Sequence, residues 1–152
     1  MIKISECKDI LKKGILFLCT GNSCRSQMAE GFAKKILSKN LKIFSAGLEI
    51  KRIHPMAIKV MQEVGIDISH QRSKNILEIP LNEIHLLITL CGEAAESCPV
   101  LPRKVKKIHW SIEDPAKVKG SAEEIIQAFR RVRDKIKYLI ENEKLFYTKN
   151  NS

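Results

Sequence analysis

The chain has 152 residues, of which 44% are hydrophobic and 29% are charged, and its formal net charge is +10. This length and apolar content suit one folded domain, and because no run of about 18 or more apolar residues occurs, we predict no transmembrane helix. The basic residues are spread along the chain without alternating aromatic residues, so we expect small anions, and neither nucleic acid nor a membrane, as partners.

Five cysteines occur in the chain. The first residues carry scattered charges and no continuous apolar stretch, so a secretory signal is not predicted and we expect a cytoplasmic protein. Structural disulfides are rare in that reducing compartment, and the cysteines therefore point to metal ligation or redox catalysis. Zinc sites use Cys-x2-Cys pairs, which Cys19, Cys24, Cys91 and Cys98 do not form, so we predict no metal site from them.

The first half of the chain alternates between short apolar runs and helical patterns. Gly14 to Leu18 is a continuous apolar run that predicts a buried parallel strand, and a polar turn separates it from a helix predicted at Ser26 to Leu37. Leu41 to Gly47 predicts a second strand that ends at a glycine. Pro55 suits the first turn of a further helix, and Gly65 suits its end.

The second half continues this alternation after an irregular stretch. His85 to Leu90 predicts a third strand, and Val105 to Trp110 predicts a fourth. Ser121 stands three residues before Glu124, which is the spacing of a capping box, and it begins a helix predicted to run to Glu143.

This order of elements predicts an α/β fold, a single-domain three-layer sandwich in which helices flank a four-stranded parallel sheet. We place the domain at residues 14–145, with a short N-terminal extension at 1–13 and a C-terminal tail at 146–152. Active sites of such sheets lie at the carboxyl ends of the strands. Cys19, Cys91 and the segment Glu113 to Pro115 all follow strands at that edge.

The segment from Cys19 to Ser26 has the features of an oxyanion-binding loop. Its amides and the start of the following helix can point at one anion, and Gly21 permits the backbone conformation that such a loop needs. Arg25 can bind two oxygens of a tetrahedral oxyanion, and the positive surroundings favour Cys19 as a thiolate nucleophile. The residues between them and just after them form the predicted loop: Thr20, Gly21, Asn22, Ser23, Cys24 and Ser26.

The alternative is a buried structural cysteine that precedes an ordinary helix start and has no role in anion binding. A Cys-x5-Arg spacing alone would recur by chance. The preceding apolar strand, the glycine within the loop, Ser26 after Arg25 and the amphipathic helix that follows together favour the anion site.

The chain resembles thioredoxin-coupled arsenate reductases, which are relatives of the low-molecular-weight tyrosine phosphatases. CTGNSCRSQMAEGFAKKIL, from Cys19 to Leu37, carries most of the resemblance. The similarity extends from about Gly14 to Glu143, and Cys7 in the N-terminal extension matches nothing in the pattern. The other matching segments are FSAG, EVGIDIS, TLCGEAAESCP, HWSIEDPA and FRRVRDKI.

The resemblance implies that arsenate is reduced to arsenite by three cysteines acting in turn, with no bound cofactor. Cys19 attacks arsenate, Cys91 attacks Cys19, and Cys98 then moves the disulfide outward, where thioredoxin acts as the external reductant. Asp114 matches the general acid of the family. A helical Cys-x6-Cys segment would hold its thiols too far apart for a disulfide, so this segment must loop out or unwind.

A phosphatase acting on phosphotyrosine or small phosphoesters is the alternative function. It needs only Cys19, Arg25 and an acid, for which Asp114 ranks before Glu113. Phosphatases of this group commonly place aromatic residues beside the pocket, and here the only tryptophan is Trp110 while both tyrosines lie near the C-terminus. The two additional cysteines favour the reductase.

Some members of the group bind potassium beside the loop, and the resemblance assigns its ligands to Asn22, Glu30 and Ser45. A carboxylate of that site is replaced here by Lys74. We therefore expect no bound metal and hypothesise that the Lys74 ammonium pairs with Glu30 and supports the loop. The alternative is that Lys74 points into solvent, as lysines usually do.

Overall fold

The computed structural model describes residues 13–98, 101 and 104–147. The predicted strands and helices are present there, with small shifts at their ends. They are β1 (Gly14–Cys19), α1 (Arg25–Ile36), β2 (Lys42–Gly47), α2 (Pro55–Gln62), β3 (Ile84–Thr89), α3 (Gly92–Glu96), β4 (Lys106–His109) and α4 (Ala122–Asn142). The predicted N-terminal extension, with Cys7, lies outside the described residues except for residue 13.

The four strands form one parallel sheet in the order β2-β1-β3-β4. Every residue of β1 is buried, as expected for a central strand that is covered on both faces. Because all strands run the same way, Cys19 lies opposite Gly47 and Thr89 lies opposite His109 in the strand pairing. The segments that leave these strands therefore start at one edge of the sheet.

One face of the sheet is covered by α1, α2 and α4, which also pack on one another. Ile15, Phe17 and Cys19 alternate along β1 toward this face, and they share a core with Met28 and Phe32 of α1. Helix α4 begins with the predicted capping box, in which the Ser121 hydroxyl accepts from the backbone N–H of Glu124. Its buried face has helical spacing: Ile126, Phe129, Val132, Ile136 and Ile140.

The other face has a thinner layer. Leu16 and Leu18 of β1 pack there with Ile76 and Ala94, which come from a 3-10 helix (Ile76–Glu78) and from α3. These layers confirm the three-layer α/β prediction. Within the described ranges, no helix is both long and apolar enough to cross a membrane.

Phe146, the first residue of the predicted C-terminal tail, packs against the domain. Its side chain is buried, and its ring centroid lies 6.1 Å from that of Trp110 and 6.4 Å from that of Phe17. The helical pattern ends at Asn142, and a single aromatic anchor beyond it has no periodic signal in the sequence.

An ionic cluster joins α2 to α4. Arg130 donates to both carboxylate oxygens of Glu63, at 3.0 and 2.7 Å, and Arg133 donates to the same carboxylate at 2.8 Å. Arg133 also donates to the carbonyl of Val60, and it is the more buried of the two arginines. The bidentate geometry fixes the angle between the two helices.

Glu63→Gln should lower the free energy of unfolding at neutral pH. The free energy of unfolding of the variant should also depend less on pH in the acid range. Hydrogen bonds from Arg130 and Arg133 lower the pKa of Glu63 from 4.5 to about 2. A carboxyl whose pKa is depressed by folding stabilises the native state fully above its unfolded pKa and loses that contribution as the pH falls through the folded value. The urea midpoints of wild type and variant should therefore differ at neutral pH and converge as the pH falls from 4.5 toward 2.

The control is Glu141→Gln, which removes one negative charge from an exposed position of α4. A midpoint difference for Glu63→Gln that stays constant over the whole acid range would contradict the ionic origin of the effect.

Candidate active site

The loop between β1 and α1 leads directly into the N-terminus of that helix. Residues 20–24 form this loop, and α1 begins at Arg25. The first N–H groups of a helix have no partner within it, and they coincide with the positive end of the helix dipole. The first turn of α1 contains no acidic side chain. The loop can therefore bind an anion without a competing carboxylate from that turn.

The turn of this loop depends on Asn22, whose φ is +50°. Asparagine enters the left-handed region more readily than most residues. We had expected Gly21 to supply this conformation, and that prediction was wrong, because the glycines with positive φ in the described chain are Gly65 and Gly120. The glycine that the loop does require is Gly47, where an added Cβ would lie 2.8 Å from the backbone nitrogen of Asn22.

The side chain of Asn22 is fully buried and makes four hydrogen bonds. Its Nδ2 donates to the Ser26 hydroxyl at 2.7 Å and to the Ser45 hydroxyl at 3.0 Å. Its Oδ1 accepts from Gln27 Nε2 at 2.9 Å and from the backbone N–H of Lys74 at 2.8 Å. One amide thus joins the loop to α1, to β2 and to the segment before the first 3-10 helix.

The sulfur of Cys19 lies at the inner edge of the loop, 2.8 Å from the Ser26 hydroxyl oxygen. Since that oxygen already accepts from Asn22, the serine hydrogen is left to donate to Cys19. The structure therefore places the predicted nucleophile beside a hydrogen-bonding hydroxyl, at the edge of the loop that leads into the start of α1.

The guanidinium of Arg25 is held from three sides. Its Nη1 donates to the carbonyl of Ile112 at 3.1 Å and to that of Leu90 at 3.4 Å. Its Nη2 lies 3.6 Å from the Asp114 carboxylate. These contacts come from the segments after β3 and β4, so the sheet edge orients the arginine toward the loop.

Asp114 lies on the rim of the site, as predicted. Its carboxylate accepts from the backbone N–H of Ala116 at 3.0 Å and caps a 3-10 helix (Pro115–Lys117). Glu113, the second candidate for the acid, instead reaches Arg131 of α4 at 3.5 Å. The geometry therefore supports Asp114 as the acid of the site.

Cys91 follows β3 and lies beside the first residue of the loop. Its sulfur accepts from the backbone N–H of Ala94 at 3.3 Å and so caps α3. The hydroxyl of Thr20 is 3.2 Å from this sulfur and also 3.2 Å from the Glu93 carboxylate. Cys19 and Cys91 both line one cavity of about 630 Å³, together with Arg25 and Asp114.

Cys98 does not line this cavity. It follows α3, is half-buried, and packs in the core on the thinner side of the sheet. Burial raises the pKa of its thiol, and Lys107 opposes this. Helix α3 occupies Gly92–Glu96 between Cys91 and Cys98, so we expect this segment to unwind when a Cys91–Cys98 bond forms. Pro99, at the far edge of this segment, lies outside the described residues.

Lys74 lies beside Glu30, as the pairing hypothesis requires, while the shorter ion pair of Glu30 is with Lys34, at 2.7 Å. The ammonium of Lys74 lies 3.6 Å from one Glu30 oxygen, and the Ser45 hydroxyl donates to the same oxygen at 2.5 Å. Lys74 also donates to the carbonyl of Arg72 at 2.5 Å. Burial lowers the pKa of Lys74, while Glu30 raises it. These residues do not fit a potassium ion, because a positive group already contacts the carboxylate.

Two supporting residues of the loop were missed from the sequence. Gln27 bonds to Asn22, and the single hydrogen of the Ser73 hydroxyl is shared between the carbonyls of Asn22 and Lys51, which lie 2.9 and 2.6 Å away. Gln27 looks like any polar residue in a helix until its burial is known. Ser73 acts on the loop through contacts more than twenty residues away, for which the sequence pattern contains no signal.

Comparison with known proteins relates the whole described domain to one family. A profile of the low molecular weight phosphotyrosine protein phosphatase family matches residues 14–147. An arsenate reductase from Bacillus subtilis (strain 168) is 54% identical over 124 residues, which cover 82% of this chain and 89% of the relative. An arsenate reductase from Staphylococcus xylosus is 50% identical over 134 residues, covering 88% and 98%.

Solved structures show the same similarity. A structure described as an arsenate reductase in the reduced state has a TM-score of 0.68 and 40% identity, and the match covers 89% of this chain and 97% of the other. One described as being in the phosphate binding state has a TM-score of 0.69 and 39% identity, with coverage of 86% and 95%.

Cys24→Ala should leave the site functional, because Cys24 is a packing residue. Its side chain is buried, and burial raises the pKa of its thiol to about 12. Only about one thiol in ten thousand would then be ionised at pH 8. Peptide mass mapping after iodoacetamide treatment should find Cys19 labelled and Cys24 unlabelled, and Cys24→Ala should bind phosphate as wild type does. Labelling of Cys24 at the rate of Cys19 would contradict this assignment.

The pairing of Lys74 with Glu30 predicts no specific response to potassium. The melting temperature and phosphate affinity should be equal in potassium and sodium salts at the same ionic strength, because an ammonium group occupies the position of a cation. Lys74→Asp should create a potassium-specific stabilisation by restoring a carboxylate ligand. Lys35→Asp, at an exposed position of α1, is the control for charge alone. A potassium-specific stabilisation of the wild type would refute the hypothesis.

Proposed function

The chain belongs to the low molecular weight phosphotyrosine protein phosphatase family, and we propose that it reduces arsenate to arsenite with Cys19, Cys91 and Cys98. The observation that carries the proposal is the shared cavity, in which the thiols of Cys19 and Cys91 line one space with Arg25 and Asp114. The relatives at 50% and 54% identity that are named arsenate reductases support the same activity.

The second thiol separates a reductase from a phosphatase. Ester hydrolysis needs a nucleophile, an anion site and an acid, which Cys19, Arg25 and Asp114 supply. It has no use for the thiol of Cys91 in the same cavity. Reduction of arsenate needs two electrons, which two thiols supply when they form a disulfide.

The cavity wall also favours a small substrate. Among the described residues that line it, none is Phe, Tyr or Trp, and Trp110 is instead buried in the core. A phosphotyrosine ring would therefore lack an aromatic wall to stack on. Weak hydrolysis of small aryl phosphates remains the second function, because the anion loop and Asp114 suffice for it.

In the first step, the Cys19 thiolate attacks arsenic while the loop amides and Arg25 hold the oxyanion. A sulfur–arsenic bond forms, an arsenic–oxygen bond breaks, and Asp114 supplies the proton with which that oxygen leaves as water. Arsenic stays in the +5 state in this step.

In the second step, Cys91 attacks the sulfur of Cys19. The Cys19–Cys91 disulfide forms, the sulfur–arsenic bond breaks, and its electron pair stays on arsenic, which leaves as arsenite. The two thiols thereby lose the two electrons that arsenic gains. No metal or bound cofactor takes part in the scheme.

In the third step, Cys98 attacks Cys91 and frees Cys19 for another turnover. We expect α3 to unwind in this step, and five of the residues between these cysteines are already exposed: Gly92, Glu93, Ala95, Glu96 and Ser97. A disulfide in this segment is accessible to an external dithiol. We propose that thioredoxin is this reductant, in keeping with the cytoplasmic location expected from the sequence.

The test is arsenite production with thioredoxin, thioredoxin reductase and NADPH. Wild type should turn over repeatedly. Cys98→Ser should release about one arsenite per enzyme and then stop as the Cys19–Cys91 disulfide, because the transfer step is lost. Cys91→Ser should release none and still hydrolyse an aryl phosphate slowly, since the anion loop is intact.

Cys24→Ala serves as the matched control, since it removes a buried thiol that the scheme does not use. Repeated turnover by Cys98→Ser would overturn the three-thiol scheme. Aryl phosphate hydrolysis without any arsenite from wild type would instead support the phosphatase.

A further inference from the structure

Glu93 has a contact that the three-thiol scheme does not use. Its carboxylate accepts from the Thr20 hydroxyl at 3.2 Å, and the same hydroxyl oxygen lies 3.2 Å from the sulfur of Cys91. Glu93 is in the first turn of α3, which Cys91 itself caps. All three side chains line the cavity that holds Cys19. They therefore form a continuous chain from the second thiol of the reaction to a carboxylate.

The directions of these hydrogen bonds are set by counting hydrogens. A threonine hydroxyl has one hydrogen, and it is used in the bond to Glu93. The contact between Thr20 and Cys91 must then have the thiol as its donor. A protonated Cys91 can therefore pass its proton to the Thr20 oxygen while Thr20 passes its own hydrogen to Glu93.

We propose that Glu93 is the proton acceptor for Cys91, acting through the Thr20 hydroxyl as the Cys19–Cys91 disulfide forms. This inference rests on the proposed function. Cys91 loses its proton to Thr20, and the Thr20 hydrogen moves to Glu93. The Cys91 sulfur then bonds to the Cys19 sulfur, the sulfur–arsenic bond breaks, and its electron pair remains on the departing arsenite, which takes up the protons it needs from solvent.

The exchange also reorganises the bonds around the sulfur. Once Glu93 is protonated, the hydroxyl group of Thr20 no longer needs to donate to a carboxylate, and it can turn its hydrogen toward the new thiolate. The backbone N–H of Ala94 already donates to that sulfur. The Cys91 thiolate can therefore accept two hydrogen bonds when it attacks Cys19. Protonation of Glu93 also removes a negative charge that would repel the thiolate.

Glu93 can act as a proton acceptor or only as a group that holds Cys91 in place, and Glu93→Gln distinguishes these two roles. Glutamine accepts the Thr20 hydrogen bond through its amide oxygen, so the start of α3 stays tied to the loop, but it cannot take a proton. In the resting enzyme, Glu93→Gln removes a negative charge near Cys91. Iodoacetamide should therefore alkylate Cys91 at the wild-type rate or faster. Disulfide formation during turnover should instead slow by roughly a hundredfold or more.

The experiment combines these two readouts in Cys98→Ser enzyme, where one arsenite is released per molecule. Arsenite and the Cys19–Cys91 disulfide are followed in a single turnover, and Cys91 alkylation is measured by peptide mass mapping without arsenate. Glu93→Asp should recover part of the rate, since it restores a carboxylate on a shorter chain. Glu96→Gln removes a carboxylate from an exposed position of the same helix and should behave as the parent does.

The outcomes are distinct. A single-turnover rate for Glu93→Gln equal to that of the parent would overturn the proposal while leaving the proposed function intact. Equal slowing of alkylation and turnover would also overturn it, because that is the effect of a misplaced Cys91. If the parent releases no arsenite, the proposed function fails and the proton transfer fails with it.

Discussion

The buried amide of Asn22 is the contact on which the site depends. Its four hydrogen bonds connect the anion loop to α1, to β2 and to the segment that carries Lys74. A buried polar side chain stabilises a structure only when its donors and acceptors are all used, and here they are. The left-handed backbone of Asn22 is retained because these bonds offset its cost. The amides of the loop are thus oriented before any anion arrives.

The positions of the cysteines divide their chemical roles. Cys19 lies 2.8 Å from the hydroxyl of Ser26, whereas Cys24, five residues later, is a buried residue whose thiol pKa is raised by burial. Cys91 is half-buried on the cavity wall, and Cys98 packs on the thinner side of the sheet. The role of each thiol therefore depends on its surroundings as well as on its place in the sequence.

The sheet, its parallel strands and the rim of catalytic residues could be predicted because each has a local signal. Apolar runs mark the strands, and Cys19, Cys91 and Asp114 follow strand ends in the sequence. Gly21 was misassigned because glycine is the usual left-handed residue, whereas the hydrogen bonds that allow Asn22 to adopt this conformation come from distant segments. The contacts of Gln27, Ser73 and Phe146 depend in the same way on long-range packing.

The short helix α3 connects formation of the Cys19–Cys91 disulfide to the attack of Cys98 on Cys91 that follows in the proposed reaction. A helix of five residues is marginal by itself, and the Cys91 sulfur supplies its N-terminal cap by accepting from Ala94. In the proposed reaction that sulfur turns to bond with Cys19, so the helix loses its cap at the moment when the disulfide forms. The unwinding that brings Cys98 to Cys91 is then easier after oxidation than before it. The reduced enzyme can therefore keep Cys98 apart from the cavity and still deliver it when the first disulfide needs to be resolved.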